Sequence, residues 1–491
     1  MQIALLIVVL VTLALGEGSA PGVSSTHEGP WGLLGVVLLA ALPGLWAWHG
    51  ANRVAAEITA PAADLAAPAH AARWVQRGAI ALWLICASGI LLVLDWPTIW
   101  RAIVQPVAVG PLDEILLLLP TILPLLLIWT AMYPLERAAR RQLNSVTGLP
   151  AVCEGSAPAA HSWAPSEPRR QAAIQPLGED GPTRREYVLA HVRVIAAPLL
   201  LPLLGLILLR DLVRRLSPGL TENGSGAVVM FGLLAVFFLL AWPWLLRMAW
   251  GTRPLPEGPL HERLRGLLAR AEMPDCRLLI WPTGRMMSNA AAVGFLPHAR
   301  CILVSDALLD RLAPRQVEAV VAHEVAHLRC RHLWLRGAAM LVPLSVWLML
   351  SAILESAGSP WCELAGLTGS PLEIVPLLAV MACYAALVFG RYAQVLEHQA
   401  DWEAARLLEP DNPRAGAALF AAALAAMDSG FRSSGKRRTW QHATTANRRK
   451  CLKKLATDAR QELRFQRRTQ SLNCMLVGVA LAPLAVYLLL G

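Results

Sequence analysis

Charge is scarce in this sequence: Asp, Glu, Lys and Arg make up 16% of 491 residues, while 56% are hydrophobic. That balance excludes an ordinary water-soluble globular chain, which would leave too much apolar surface exposed. No CxxC pair occurs among the nine cysteines, and Cys86, Cys383 and Cys474 lie inside apolar runs, where a thiol acts as a small hydrophobe. A disulfide framework and a cysteine-based metal site are not implied. The Arg-rich segments lie between apolar runs and lack interleaved aromatics. The formal net charge of +10 therefore reads as membrane topology and not as a nucleic-acid surface.

Long apolar runs take the place of charge. Stretches 31–48, 79–94, 115–133, 194–209, 227–246, 337–354, 374–389 and 475–490 each suit a helix that satisfies its own backbone while crossing hydrocarbon. A shorter run, 3–15, is followed by Gly-Glu-Gly-Ser-Ala, as after a signal peptide, but lacks a basic stretch before it and is read as a retained helix. The expectation is about eight or nine spans. Loops 17–30 and 357–371 contain no Lys or Arg and are expected outside, whereas 134–190 carries seven Arg and is expected inside. The polar regions 251–336 and 391–472 then fall inside as well, and Arg210, Arg214 and Arg215 land outside on an expected interfacial helix. Segment 151–183, rich in Pro, Ala and Ser, reads as a flexible linker.

Residues 323–327 read His-Glu-Val-Ala-His, in a segment with no helix breaker after Pro314, which suits a first helical turn. Spacing i, i+4 puts both imidazoles on one face of a helix. They can chelate one Zn²⁺ while Glu324 reaches the hydrolytic water as general base. A catalytic zinc needs a third protein ligand, and Glu397 is the best candidate. Asp401, one helical turn on, would lie beside it and hydrogen-bond a ligand imidazole from behind. His398 points away on such a helix and reads as a surface or packing residue. His332 is off the metal face too, and reads as an interfacial cation or a hydrogen-bonding residue.

The run beginning at Gly337 follows His327 with no intervening Gly or Pro. One continuous helix would then hold the metal within about 15 Å of the bilayer. Glu397 follows the end of the 374–389 run by about 12 Å on the same rise. The site is therefore expected at the cytoplasmic interface.

The HEVAH helix, a membrane hairpin and the later Glu-x-x-x-Asp together resemble the integral-membrane zinc metallopeptidases that include the CAAX prenyl proteases and the bacterial heat-shock membrane protease. The match runs over about 270–455 and includes Ser288-Asn289-Ala290-Ala291-Ala292-Val293-Gly294, similar to that family's Asn-Ala segment. It implies that Asn289 contacts substrate backbone. A short strand near 300–305 would lie in a small sheet, one edge of which binds substrate as an added strand. The family's pair of a His and an Arg six residues later has counterparts in His442 and Arg448, implying oxyanion stabilisation, although His-Ala-Thr stands here for the family's His-Pro-Pro.

The resulting fold class is a mainly α, polytopic membrane protein with a cytoplasmic α+β zincin-like catalytic domain. Residues 1–250 form a multi-span region, 251–336 and 391–472 form the catalytic domain, 337–390 form a transmembrane hairpin, and 473–491 form a last span. The function expected is zinc-dependent endopeptidase action, with one Zn²⁺ per chain, on peptides or membrane proteins. It would act in the lipid bilayer of a bacterial inner membrane, without nucleic acid. Rival readings are a signalling metalloprotease of the antibiotic-sensor type and a non-catalytic zinc-containing scaffold. The end of the final span at Gly491 speaks against the first, and an intact Glu324 against the second.

Overall fold

The computed structural model describes residues 2–18, 30–59, 66–104, 112–147, 182–217, 224–284, 287–356, 380–381, 383–430 and 443–490. His442, most of the loops 17–30 and 357–371, and nearly all of the linker 151–183 lie outside the described residues. The chain divides into two compact units, whose described residues meet in sequence at Gly251 and Thr252.

The elements described in the first unit are all helices: α1 (Gln2–Gly18), α2 (Pro30–Thr59), α3 (Ala66–Ser88) with a π-helical turn Gly89–Val93, α4 (Trp96–Val104), α5 (Leu112–Leu117), α6 (Leu119–Thr147), α7 (Arg184–His191), α8 (Ala197–Leu216) and α9 (Gly224–Trp250). A π-helical turn, Val192–Ala196, joins α7 to α8 without a break. Among the described residues four helical segments are long and apolar enough to cross a membrane: Pro30–Thr59, His70–Val93, Leu119–Arg141 and Arg184–Leu216. Two buried indoles of the unit find acceptors on other helices. The indole of Trp83, fully buried, donates to the Thr121 carbonyl at 2.7 Å, and that of Trp96 to the Leu117 carbonyl at 2.9 Å. Arg210 and Arg215 lie in the last turns of α8, paired with Glu114 and Asp211.

The second unit carries a four-stranded mixed sheet, β1 (Arg253–Pro254), β2 (Arg277–Trp281), β3 (Ala290–Val293) and β4 (Cys301–Ser305), in the order β1-β2-β4-β3. The strand expected near 300–305 is β4, parallel to β2 and antiparallel to β3, every residue of it buried. Gly294 closes the β3 end at φ +103°, where a Cβ would lie 2.4 Å from the Ala299 carbonyl oxygen, so only glycine fits. The helices of the unit are α10 (Pro259–Arg270), α11 (Asp306–Arg311), α12 (Pro314–Arg329), α13 (His332–Ser356), α14 (Gly390–Leu408), α15 (Pro413–Gly430), α16 (Thr445–Thr457) and α17 (Ala459–Leu490). One apolar core joins Leu264, Leu267 and Leu268 of α10, Ile302 and Val304 of β4, Val317 and Val321 of α12, and Phe420 of α15. A second joins Ala339 and Val342 of α13, Tyr392 and Leu396 of α14, and Leu476 of α17.

The HEVAH helix is bounded as its sequence suggests at the start and differently at the end. Pro314 occupies the first turn, and the Gln316 side chain accepts the Ala313 N–H at 3.0 Å. The expected continuous helix into the apolar run is not formed. α12 stops at Arg329, and Arg331 turns left-handed at φ +57° before α13 begins at His332. Backbone bonds from Cys330 to Ala326 and from Arg331 to Leu328 close the end as a C-cap. The left-handed residue costs about 1–2 kcal/mol, offset by the buried contact it creates between His332 and His327.

Candidate metal centre

Three side chains converge inside the second unit: His323 and His327 from α12 and Glu397 from α14, each contributing an atom within 4.8 Å of the others. The two Nε2 atoms face each other at 3.2 Å, and the Glu397 carboxylate lies 3.5 Å from His323 and 3.4 Å from His327. All three are buried, Glu397 to 1% exposure.

Each imidazole is held from behind. The Nδ1 of His323 donates to Asp401 at 3.0 Å, and Arg448 from α16 clamps the same carboxylate through two nitrogens, one of them at 2.9 Å. Phe420 of α15 stacks on the His323 ring at a centroid distance of 5.6 Å and an interplanar angle of 17°. It reaches there because Gly416 lets α15 approach α14 closely: a Cβ at that position would fall 2.0 Å from the Ala405 carbonyl oxygen. The Nδ1 of His327 meets the Nδ1 of His332 at 2.8 Å, and the Nε2 of His332 meets the Gln399 carbonyl oxygen at 3.1 Å. One assignment satisfies the whole chain. His332 donates from Nε2 to Gln399 and accepts at Nδ1 from His327, whose Nε2 lone pair is thereby left for a metal. Glu397 is fixed by Arg336, which donates to Oε1 at 2.6 Å.

The electrostatics follow from this packing. Burial alone would depress His323, but the Asp401 and Glu397 carboxylates outweigh it and hold its pKa up at about 9. Burial pushes His327 well below its ordinary value, helped by the charge of His323. Burial also takes His332 down to about 4, so it is a neutral hydrogen-bonding residue and not an interfacial cation. Asp401 is lowered despite its burial, because Arg448 sits against it. Glu324 is raised by removal from water and by Glu397, against His323 and a backbone N–H.

Glu324 lies half-buried beside the three converging groups and accepts the Ala292 N–H at 3.0 Å. Its partner belongs to β3, at the edge of the sheet. Asn289, exposed and just before β3, accepts the Ser305 N–H at its carbonyl at 3.0 Å and donates its own N–H to the Ser305 hydroxyl at 2.9 Å. Alternation then turns the Ala290 N–H and C=O, and the Ala292 C=O, towards the open edge. The Arg448 guanidinium is committed to Asp401 and stands over Phe420, behind His323. His398 takes no part in the convergence, as expected of a surface or packing residue. His332, Gln399, Arg336 and Phe420 were not singled out as site residues from sequence; for His332, a second imidazole five residues past the HEVAH motif was the one available signal.

A helix-borne His/His/Glu set next to a carboxylate and an open strand edge defines a metallopeptidase class of site. Residues 254–455 match the model of peptidase family M48. A protease HtpX homolog of Nostoc punctiforme is 27% identical over 232 residues, 45% of this chain and 76% of that protein. One of Acaryochloris marina is 35% identical over 116 residues, 22% of this chain and 39% of that protein. A third, of Moorella thermoacetica, is 39% identical over 79 residues, 16% of this chain and 25% of that protein, so these two matches span well under half of the relatives' length. A crystal structure of S. mikatae Ste24p aligns with 87% of this chain and 100% of its own at 13% identity and a TM-score of 0.46.

Proposed function

We propose that the chain is a zinc-dependent endopeptidase of the membrane, hydrolysing peptide bonds of membrane-associated or misfolded proteins at the cytoplasmic face, with one zinc per chain. The observation that carries the reading is the convergence of the two Nε2 atoms and the Glu397 carboxylate, with both Nδ1 atoms engaged on the far side. Two imidazoles, His323 giving up its Nε2 proton when an ion binds, and one carboxylate, each braced from behind, are the donor set that catalytic zinc takes while keeping a position open. Bound there, zinc would polarise the scissile carbonyl and acidify the attacking water.

His323, His327 and Glu397 would hold the ion, with Asp401 and His332 fixing the ring tautomers. Glu324 takes the proton of the attacking water and delivers it to the leaving amine, its raised pKa suiting both directions of transfer. The open edge of β3 receives the substrate as an added strand, with Ala290 and Ala292 offering backbone groups and Asn289 standing at its entrance. His442 is retained as the oxyanion donor on the family resemblance, and Arg448 supports the site through Asp401.

The broader topology is part of the same proposal: about eight or nine spans, with a hairpin over 337–390 and a last span over 473–491. Support comes from the four long apolar helices and from helical structure along α9, α13 and α17. The test is Glu324→Gln in the purified full chain. Zinc content and fold should be retained, and cleavage of an unfolded membrane-tethered substrate should fall by several orders of magnitude. Equal cleavage by the variant would reject the role of Glu324.

A further inference from the structure

Several arginines of the second unit are paired with buried or half-buried carboxylates. Arg263, Arg270 and Arg315 surround Glu318, Arg329 meets Glu403, and Arg336 meets Glu397. Residues 449–468 behave differently, with eight basic residues against two acidic ones. On α16, Arg449, Lys450, Lys453 and Lys454 are all exposed. On α17, Arg460, Arg464, Arg467 and Arg468 are exposed as well. Among the described residues, none of the eight is in an ion pair. The two acids nearby are turned to other tasks. Asp458 accepts the Arg460 and Gln461 N–H groups at the start of α17, and Glu462 accepts from Trp402 and Gln466.

The spacing on α17 is directional. Arg464, Arg468 and Met475 fall on one face of the helix, and Met475, where the last apolar run begins, is 58% exposed. At 1.5 Å per residue, Arg468 stands about 10 Å and Arg464 about 16 Å before Met475. Extended arginine stems at those distances reach the headgroup layer. The aromatic of the segment, Phe465, packs against the apolar core and offers no stacking platform for nucleic-acid bases.

We propose that the exposed basic faces of α16 and α17 form a docking surface for anionic phospholipid headgroups, so that the catalytic unit rests on a negatively charged membrane surface. The proposal rests on 475–490 being a span and is independent of the peptidase reaction. Each basic residue near such a surface favours anionic over neutral lipid by about fivefold at most, less once salt screens it. The summed effect is an annulus enriched in acidic lipid.

The experiment uses the full chain in mixed micelles of phosphatidylglycerol and phosphatidylcholine, re-purified and analysed for retained lipid. Wild type should retain phosphatidylglycerol several times above its bulk share, and 0.5 M salt should reduce the excess. The variant Arg464→Gln/Arg467→Gln/Arg468→Gln should lose most of the enrichment while keeping its zinc content and elution volume. Milder Lys453→Gln/Lys454→Gln should lose a smaller part. Bulk lipid composition in wild type overturns the proposal whatever the variants do, and so does capture of a poly-glutamate peptide or an oligonucleotide in preference to anionic lipid. Loss of peptidase activity with enrichment intact would bear on the catalytic reading alone.

Discussion

The two units bury polar groups in opposite ways. In the first, the buried polar side chains among the described residues are Thr12, Thr98 and Thr121. Thr12 and Thr121 bond carbonyls of their own helical turns, at 2.7 and 2.9 Å. The second unit buries three histidines and the carboxylates Asp306, Glu318, Glu397 and Asp401. Most of these partners lie tens of residues away in the chain, such as Arg448 for Asp401 and Gln399 for His332. A membrane-type interior tolerates a hydroxyl that satisfies itself along its own helix. A metal centre instead requires imidazoles and carboxylates in dry surroundings, and those remain only where partners from several elements meet them.

The contrast is sharpest at Arg448. Replacing it with Met leaves Asp401 buried beside His323 without its countercharge, which should cost about 3–5 kcal/mol in denaturant unfolding of the detergent-solubilised chain. Lys at the same position should recover only part, since it cannot form the two-nitrogen clamp. An unchanged unfolding midpoint would mean that the pair contributes nothing. Next in size is His332→Leu, which removes the acceptor for the His327 Nδ1 proton. Zinc affinity should weaken by about 10- to 100-fold, read by competition with a chelating dye. His332→Asn keeps an acceptor near the same place and should lose less; equal losses in the two would break the tautomer assignment. The smallest effect belongs to the first unit. Thr121→Val removes a hydroxyl bonded within its own turn and should shift stability by less than about 1 kcal/mol, while leaving the Trp83 bond to the Thr121 backbone carbonyl intact. A loss as large as that of Arg448→Met would erase the distinction between the two interiors.

The same contrast explains what the sequence made legible. Apolar runs predict helices in the first unit because nothing there competes with hydropathy. In the second, HEVAH and Glu-x-x-x-Asp are readable because both depend on the helical repeat alone, which also aligns Glu397 with Asp401. β4 was expected from the family resemblance. The break at Arg331 was not legible, since no Gly or Pro marks it and its left-handed conformation is held by tertiary contacts. Of the two readings of His332, interfacial cation or hydrogen-bonding residue, the break selects the second. With a continuous helix it would face away from the metal, and with the break it folds back onto His327. Arg336, Gln399 and Phe420 carry no local signature, because their roles arise only where α13, α14 and α15 meet α12. His442 lies outside the described residues and rests on resemblance.

X-ray absorption at the zinc edge of the purified full chain tests the central claim most directly. One zinc per chain is expected, with two imidazole nitrogens and carboxylate or water oxygens at about 2.0–2.2 Å and no sulfur. The same spectrum should appear for Glu324→Gln, and the imidazole signal should be halved in any zinc retained by His327→Ala. A zinc-free chain that nonetheless cleaves peptides, or a spectrum showing sulfur ligands, would contradict the assignment of His323, His327 and Glu397.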